Sequence, residues 1–119
     1  MIAEATSPLA IAESYIDAWS RKDVDAIAKL IHPQIHLKSP MTELSGREPF
    51  LEAVRKTLEP LEKVNVRAKF ASGSQAILVY DLQMTEVGLV RNANLMLMED
   101  NLVRSVELFF DASPFKNES

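Results

Sequence analysis

The hydrophobic pattern of this 119-residue chain changes its period once, near Val64, and this change limits the folds that the chain can adopt. Before Val64, apolar residues recur every three or four positions, as they do in amphipathic helices. From Val64 onward they alternate with polar residues, which is typical of half-buried strands. Helices in the first half and strands in the second predict an α+β fold, with the helices gathered on one face of a sheet.

Three helices are predicted in the first half. Ser7 caps the first helix and Pro8 occupies its first turn. Asp23 caps the second helix, which Pro33 stops, and the third spans residues 48–58. Strands are predicted over residues 35–39, 64–70, 75–85, 89–99 and 102–110. We expect a strongly curved antiparallel sheet that closes over the three N-terminal helices as a cone with an internal apolar pocket.

Length and charge narrow the possible functions. The whole chain, residues 1–119, is expected to form one domain with its core at about residues 9–115 and a frayed tail at residues 116–119. The net charge of −4 argues against a nucleic-acid partner, and the lack of cysteine excludes disulfides and thiolate metal sites. No apolar run is long enough to predict a membrane span, and no leader is recognisable, so a cytoplasmic location is expected.

One acidic residue interrupts the most hydrophobic run of the chain, residues 76–82. An ionised carboxylate at Asp81 is costly in a strand unless it faces water, finds a partner or lines a cavity. Simple alternation favours an apolar face formed by Leu78, Tyr80, Leu82 and Met84, which would turn Asp81 away from the core. The next strand also has apolar residues on both faces, so we expect both faces of the sheet to be covered.

Several segments together resemble a known superfamily. They are the aromatic helix and aspartate-led turn at residues 15–25, the segments 32–40 and 44–46 before a helix, and the final hairpin at residues 98–111. These segments resemble the nuclear transport factor 2-like superfamily, closest in style to its SnoaL-like and ketosteroid isomerase-like members. The resemblance covers about residues 9–115 and implies the cone-shaped fold.

The resemblance also implies a catalytic site. The oxyanion-donating tyrosine of the isomerases falls on Tyr15, and their second oxyanion donor falls on Asn94. Their general base falls on Ser39, whose hydroxyl cannot shuttle a proton as a carboxylate does. The resemblance implies that Asp81 points toward the pocket, where it would take the role of the missing base. Desolvation there would raise its pKa. The implied ligand-binding residues are Trp19, Ser39, Phe50, Val54, Val79, Gln83, Met96 and Phe110.

Three functions remain open on these grounds. The first is acid–base catalysis on an apolar, carbonyl-bearing substrate (isomerisation, aldol cyclisation or dehydration), with Asp81 moving the proton. The second is binding of a small hydrophobic molecule without chemistry, which the serine at position 39 favours. The third is a structural homodimer through the convex sheet face, with a vestigial pocket. The convex face is expected to carry Tyr80, Leu82, Leu95, Leu97 and Phe109.

Metal and cofactor sites are not expected. His32 and His36 are four residues apart, but Pro33 breaks any helix that would align them, and no third ligand has suitable spacing. Phosphate-loop and dinucleotide-binding motifs are missing from the sequence. Tyr15, Trp19 and Asn94 also have ordinary structural roles open to them, as core aromatics and a hydrogen-bonded amide.

Overall fold

The computed structural model describes residues 7–116. The prediction that no leader is present concerns residues 1–6, which lie outside the described residues. Residues 117–119 of the predicted frayed tail also lie outside them, whereas Lys116 ends a helix. The elements are α1 (Pro8–Ser20), α2 (Val24–Leu30), β1 (Ile31–Lys38), β2 (Glu43–Ser45), α3 (Arg47–Leu58), β3 (Leu61–Ser72), β4 (Gln75–Met84), β5 (Gly88–Glu99), β6 (Leu102–Phe109) and α4 (Ser113–Lys116).

Two predicted helix caps are confirmed. The Ser7 hydroxyl accepts a hydrogen bond from the backbone N–H of Ala10 at 3.1 Å, and the Asp23 carboxylate accepts one from Ala26 at 3.0 Å. Pro33, which was expected to stop α2, lies instead inside β1. The register of β1 against β6 shifts between Ile31 and His36, and such an irregularity tolerates the missing N–H of a proline.

The expected α+β fold, with helices packed on a curved sheet, is confirmed, but the sheet is mixed. Its strand order is β2-β1-β6-β5-β4-β3, and every pair is antiparallel except β1 with β6. The parallel pair arises because α3 carries the chain from the β2 edge to the β3 edge. The four-strand meander then returns β6 beside β1 in the same direction. Register shifts with an extra residue in β3 and in β6 increase the local bending.

Alternation along β4, β5 and β6 separates two faces of the sheet. In β4 and β5, even-numbered residues face the helices on the concave side and odd-numbered residues form the convex side; in β6 the parity changes at the register shift, so that both Val103 and Val106 are buried. Helix α1 packs against β3 and β4, and α3 packs against β1 and β2, so the concave side contains the core. Fully buried residues such as Ile27, Ile35 and Leu78 anchor these layers.

The convex side carries apolar side chains that remain exposed, including Phe70 (65% exposed), Phe109 (50%), Ile77 and Leu97. The expected position of Tyr80 and Leu82 on this side is wrong, because both are buried on the concave side by alternation with Asp81. The expectation holds for Leu95, Leu97 and Phe109. No helix among residues 7–116 is long and apolar enough to cross a membrane.

Candidate functional site

A partly enclosed cavity of about 510 Å³ lies between the concave face of the sheet and helices α1 and α3. This volume is typical of sites that hold a small organic molecule. The lining is mostly apolar, and it includes seven of the residues expected at a binding site: Tyr15, Trp19, Ser39, Phe50, Val54, Asn94 and Phe110. Helix α1 contributes the first two, whose rings lie with their centroids 6.2 Å apart.

Four other expected site residues do not line the cavity. Asp81, Val79 and Gln83 occupy odd-numbered positions of β4, so the pleat turns them to the convex side. Met96 lies on the concave side of β5 but is fully buried in the core packing. The expectation that Asp81 faces the pocket is therefore wrong, and simple alternation of apolar residues predicted its direction correctly.

Asp81 is held on the convex side by two arginines. Its carboxylate accepts two hydrogen bonds from Arg91, at 2.7 and 3.1 Å, and lies 3.5 Å from a guanidinium nitrogen of Arg67. The register places Arg91 directly opposite Asp81 on β5. Although the Asp81 side chain is only 7% exposed, the arginines covering it are about half exposed, so water remains close to the group.

The charge environment of Asp81 is the opposite of the one expected for a general base. Hydrogen bonding to Arg91 and the positive charges of Arg91 and Arg67 lower the pKa of Asp81, and partial desolvation opposes this only in part. The expected increase of this pKa by an apolar pocket is wrong. Asp81 is ionised at neutral pH and is engaged in a surface ion-pair cluster.

Polar atoms inside the cavity form a short strip on β4 and β5. The Asn94 amide donates a hydrogen bond of 3.3 Å to the Tyr80 hydroxyl, and both residues are buried. Tyr80, rather than Tyr15, is thus the hydroxyl partner of this amide. Asn92 lies two residues before Asn94 and also lines the cavity. The oxygens of both amides are buried without a hydrogen-bond partner among the described residues.

Burial also changes the acidity of the two tyrosines. Desolvation raises the pKa of Tyr80 to about 12, against a smaller lowering by the Asn94 hydrogen bond. Desolvation raises the pKa of Tyr15 further above its ordinary value, and the nearby Tyr80 adds to this increase. The Trp19 indole N–H lies close enough to the Tyr15 hydroxyl to oppose that shift. This indole N–H makes no well-formed hydrogen bond within the described part of the chain.

Sequence reasoning missed Asn92 and Tyr80 as cavity residues. The signal that could have found Asn92 was its spacing of two from Asn94, because residues two apart in a strand share a face. Tyr80 was assigned to the convex side because Asp81, its neighbour, was assigned to the pocket. Because neighbouring residues of a strand face opposite sides of the sheet, Tyr80 faces the cavity once Asp81 is placed on the convex side.

The cavity opens beside the β1–β2 loop and the end of α3. Ser39 organises this loop, since its hydroxyl accepts hydrogen bonds from the backbone N–H groups of Met41 and Thr42 at 3.2 and 3.1 Å. Exposed Met41 and Lys56 lie at the opening, and Phe115 of α4 packs edge-on against Phe110 there. Within residues 7–116, Lys56 is the one charged residue that lines the cavity.

The two histidines occupy separate clusters outside the cavity. His36 lies 2.9 Å from both the Ser45 hydroxyl and the Glu43 carboxylate, which ties β2 to β1. His32 lies near Glu99 and Asp100, a group with potential metal-ligand atoms. However, Nδ1 of His32 accepts a hydrogen bond from a backbone N–H. A neutral ring then keeps its proton on Nε2, the nitrogen nearest Asp100, so this geometry does not favour a metal ion.

Comparisons with known proteins agree with this fold. A family model described as SnoaL-like domain matches residues 12–103. No curated protein matches the chain. A protein from Kribbella flavida DSM 17836 is similar in structure, with a TM-score of 0.88, 23% identity, and coverage of 94% of this chain and 93% of that protein.

Two further solved structures are similar. An NTF2-like protein of unknown function from Cytophaga hutchinsonii ATCC 33406 has a TM-score of 0.86 and 20% identity, covering 98% of this chain and all of that one. A second Kribbella flavida protein, provisionally described as a ketosteroid isomerase, has a TM-score of 0.80 and 20% identity, covering 87% and 77%. At these identities the likeness shows a shared fold.

Proposed function

The chain belongs to the SnoaL-like domain family, and on that basis we propose that its cavity binds a small, largely apolar molecule without transforming it. The single observation that carries this proposal is the chemistry of the cavity wall. Among the described residues, no carboxylate or imidazole lines the cavity. These are the most common general acids and bases, and a general acid or base must lie within hydrogen-bond reach of the reacting atom with a pKa near the working pH.

The remaining polar groups of the cavity support binding more than proton transfer. Burial raises the pKa of both tyrosine hydroxyls further above neutral pH, so they stay protonated at physiological pH. The amides of Asn92 and Asn94 can orient a ligand by hydrogen bonding but do not act as a general acid or base at neutral pH. Ser39 stands at the position where the base of the isomerases was expected. Its hydroxyl is engaged in hydrogen bonds that hold the β1–β2 loop.

The charge at the cavity opening favours some ligand charges over others. With Lys56 at the mouth and no acidic side chain among the described lining residues, neutral or anionic molecules are favoured over cations. An apolar body buried against Trp19, Phe50 and Phe110 would supply most of the free energy of binding, at about 25 cal/mol per Å² of apolar surface removed from water.

A neutral naphthylamine dye whose emission rises in apolar surroundings tests the proposal. We expect saturable 1:1 binding of N-phenyl-1-naphthylamine to the wild-type protein. Val54→Trp places a large ring in the cavity and should abolish binding. Val79→Trp, a matched substitution on the convex side, should leave binding intact. Circular dichroism checks that both variants fold.

Two outcomes would contradict the proposal. One is binding that does not saturate or that Val54→Trp leaves unchanged, since the dye would then bind elsewhere. The other is turnover of a carbonyl-bearing substrate, such as an unsaturated ketone, that Val54→Trp abolishes. That result would favour acid–base catalysis in the cavity by groups other than Asp81.

We also propose that two copies associate through the convex side of the sheet. Exposed Phe70, Ile77 and Phe109 form an apolar surface there, next to the Asp81 ion-pair cluster. Ala93 pairs with Phe109, and Leu95 pairs with Glu107. A two-fold axis near Ala93 would place Arg91 of one copy opposite the cross-strand pair of Leu95 and Glu107 in the other copy. The two surfaces would then be self-complementary.

Sedimentation equilibrium tests this association. We expect twice the monomer mass at tens of micromolar protein, and Phe109→Asp should reduce it to the monomer mass. Met41→Asp, at a similarly exposed residue beside the cavity opening, is the matched control and should remain dimeric. A monomeric wild-type protein under these conditions would refute the proposed dimer.

A further inference from the structure

Two asparagines form the polar part of an otherwise apolar cavity wall, and their amides are incompletely hydrogen-bonded. Asn92 is 5% exposed and Asn94 is 1% exposed. Neither amide oxygen has a partner among the described residues. Buried polar atoms of proteins are nearly always hydrogen-bonded, so two such atoms on one strand of one cavity are unusual.

Both residues line the cavity, so a molecule that fills it can supply the missing hydrogen bonds once the amides reorient. Rotation about the last side-chain torsion of asparagine is broad and two-fold, so either end of the amide can turn to the cavity. For Asn92 this rotation breaks no hydrogen bond, since none is formed with a described atom. For Asn94, the Tyr80 hydroxyl can accept from the amide nitrogen or donate to its oxygen. One end of the Asn94 amide is left free in both orientations.

We infer that Asn92 and Asn94 select a neutral, hydroxylated apolar ligand over a hydrocarbon of the same shape. This inference rests on the proposed binding function and specifies its ligand class. A hydroxyl group both donates and accepts, so it matches either end of an amide. The two side chains lie about 7 Å apart along β5, from the rise of a strand. A ring system with two hydroxyls on one edge can therefore reach both.

The Trp19 indole N–H is also buried without a partner among the described residues, and the Trp19 side chain lines the cavity. A hydroxyl that donates to an asparagine oxygen retains its acceptor lone pairs for such a group. The aromatic faces of Trp19 and Tyr15 and the side chain of Phe50 leave the rest of the ligand in apolar surroundings. This arrangement disfavours a charged group deep in the cavity, because nothing there would compensate its desolvation.

The test compares 2-naphthol with 2-methylnaphthalene, two ring compounds of nearly equal shape, by calorimetric or fluorescence titration. The quantity measured is the ratio of their dissociation constants. One hydroxyl reaches only one of the two amides, so we expect at least one of Asn92→Leu and Asn94→Leu to shift this ratio against 2-naphthol by about tenfold, the effect of one hydrogen bond. Asn65→Leu, at an exposed asparagine of β3, is the matched control and should leave the ratio unchanged. We also expect 2,7-dihydroxynaphthalene to bind more tightly than 2-naphthol.

The outcomes separate this inference from the binding function on which it rests. If 2-methylnaphthalene binds saturably but the ratio is the same in wild type and both variants, the asparagines do not select hydroxyls and the inference is overturned alone. If none of the ring compounds binds saturably to the wild-type protein, the binding function and the inference fall together. A ratio that shifts equally in Asn65→Leu would also overturn the inference.

Discussion

Removing the hydroxyl of Tyr80 tests the buried pair that it forms with Asn94. In Tyr80→Phe, the amide nitrogen of Asn94 loses its hydrogen-bond partner while remaining buried. Leaving a buried polar group unsatisfied costs about 1–3 kcal/mol. An unfolding entropy of about 2.1 cal/mol/K per residue gives about 250 cal/mol/K for 119 residues, so each kcal/mol lowers Tm by about 4 °C. The expected decrease in Tm is therefore about 4–12 °C.

A double-mutant cycle isolates this interaction. Asn94→Leu replaces the amide by an apolar group of similar size, so Tyr80→Phe should cost much less in that background. We expect a coupling free energy of about 1 kcal/mol or more, measured by urea unfolding and calorimetry. Tyr15→Phe is the matched control, since the Tyr15 hydroxyl makes no well-formed hydrogen bond within residues 7–116 that would be lost. If Tyr80→Phe has the same effect with and without Asn94→Leu, the pair contributes nothing and the reasoning is refuted.

Two further predictions concern stability. Asp81 has a lowered pKa in the folded protein, so its contribution is present above its ordinary pKa of about 3.9 and is lost as the pH falls through the lowered value. Asp81→Asn should flatten the acid side of the stability curve in urea melts, and an acid side identical to that of the wild type would contradict the role of the arginines. Gly46 precedes α3 with φ of +99°, where an added Cβ meets Pro49 only at an ordinary 3.6 Å. Gly46→Ala should therefore destabilise by backbone strain, about 1–3 kcal/mol in a thermal melt, and an unchanged Tm would show that the backbone relaxes.

Local sequence signals predicted much of the fold. Ser7 and Asp23 begin helices as expected, because capping depends on a few neighbouring backbone N–H groups. The turn at Asp100 and Asn101 also forms as expected, with both residues at positive φ. The parallel pairing of β1 with β6 and the short strand β2 were not predicted. These features depend on where α3 carries the chain, which no local pattern encodes.

The site was predicted less well, because β4 and β5 are apolar on both faces. In such a strand, periodicity defines two sets of residues but leaves open which set faces the helices. Superfamily resemblance assigned Asp81 to the cavity, and the stronger apolar character of the Tyr80 set pointed the other way. The pairing of Asp81 with Arg91 decides the matter, because a carboxylate opposite an arginine across two strands needs no cavity.

The alternation of the sheet faces has a consequence for how this protein can evolve. Substitutions at even-numbered positions of β4 and β5 alter the cavity wall or the core packing beside it, and substitutions at odd-numbered positions alter the outer surface. Ligand preference and surface properties can therefore diverge independently, one residue at a time. Insertions and deletions are different: a one-residue slip in β5 would carry Arg91 inward and Asn92 outward. We therefore expect lineages to tolerate many substitutions in these strands while keeping their lengths constant.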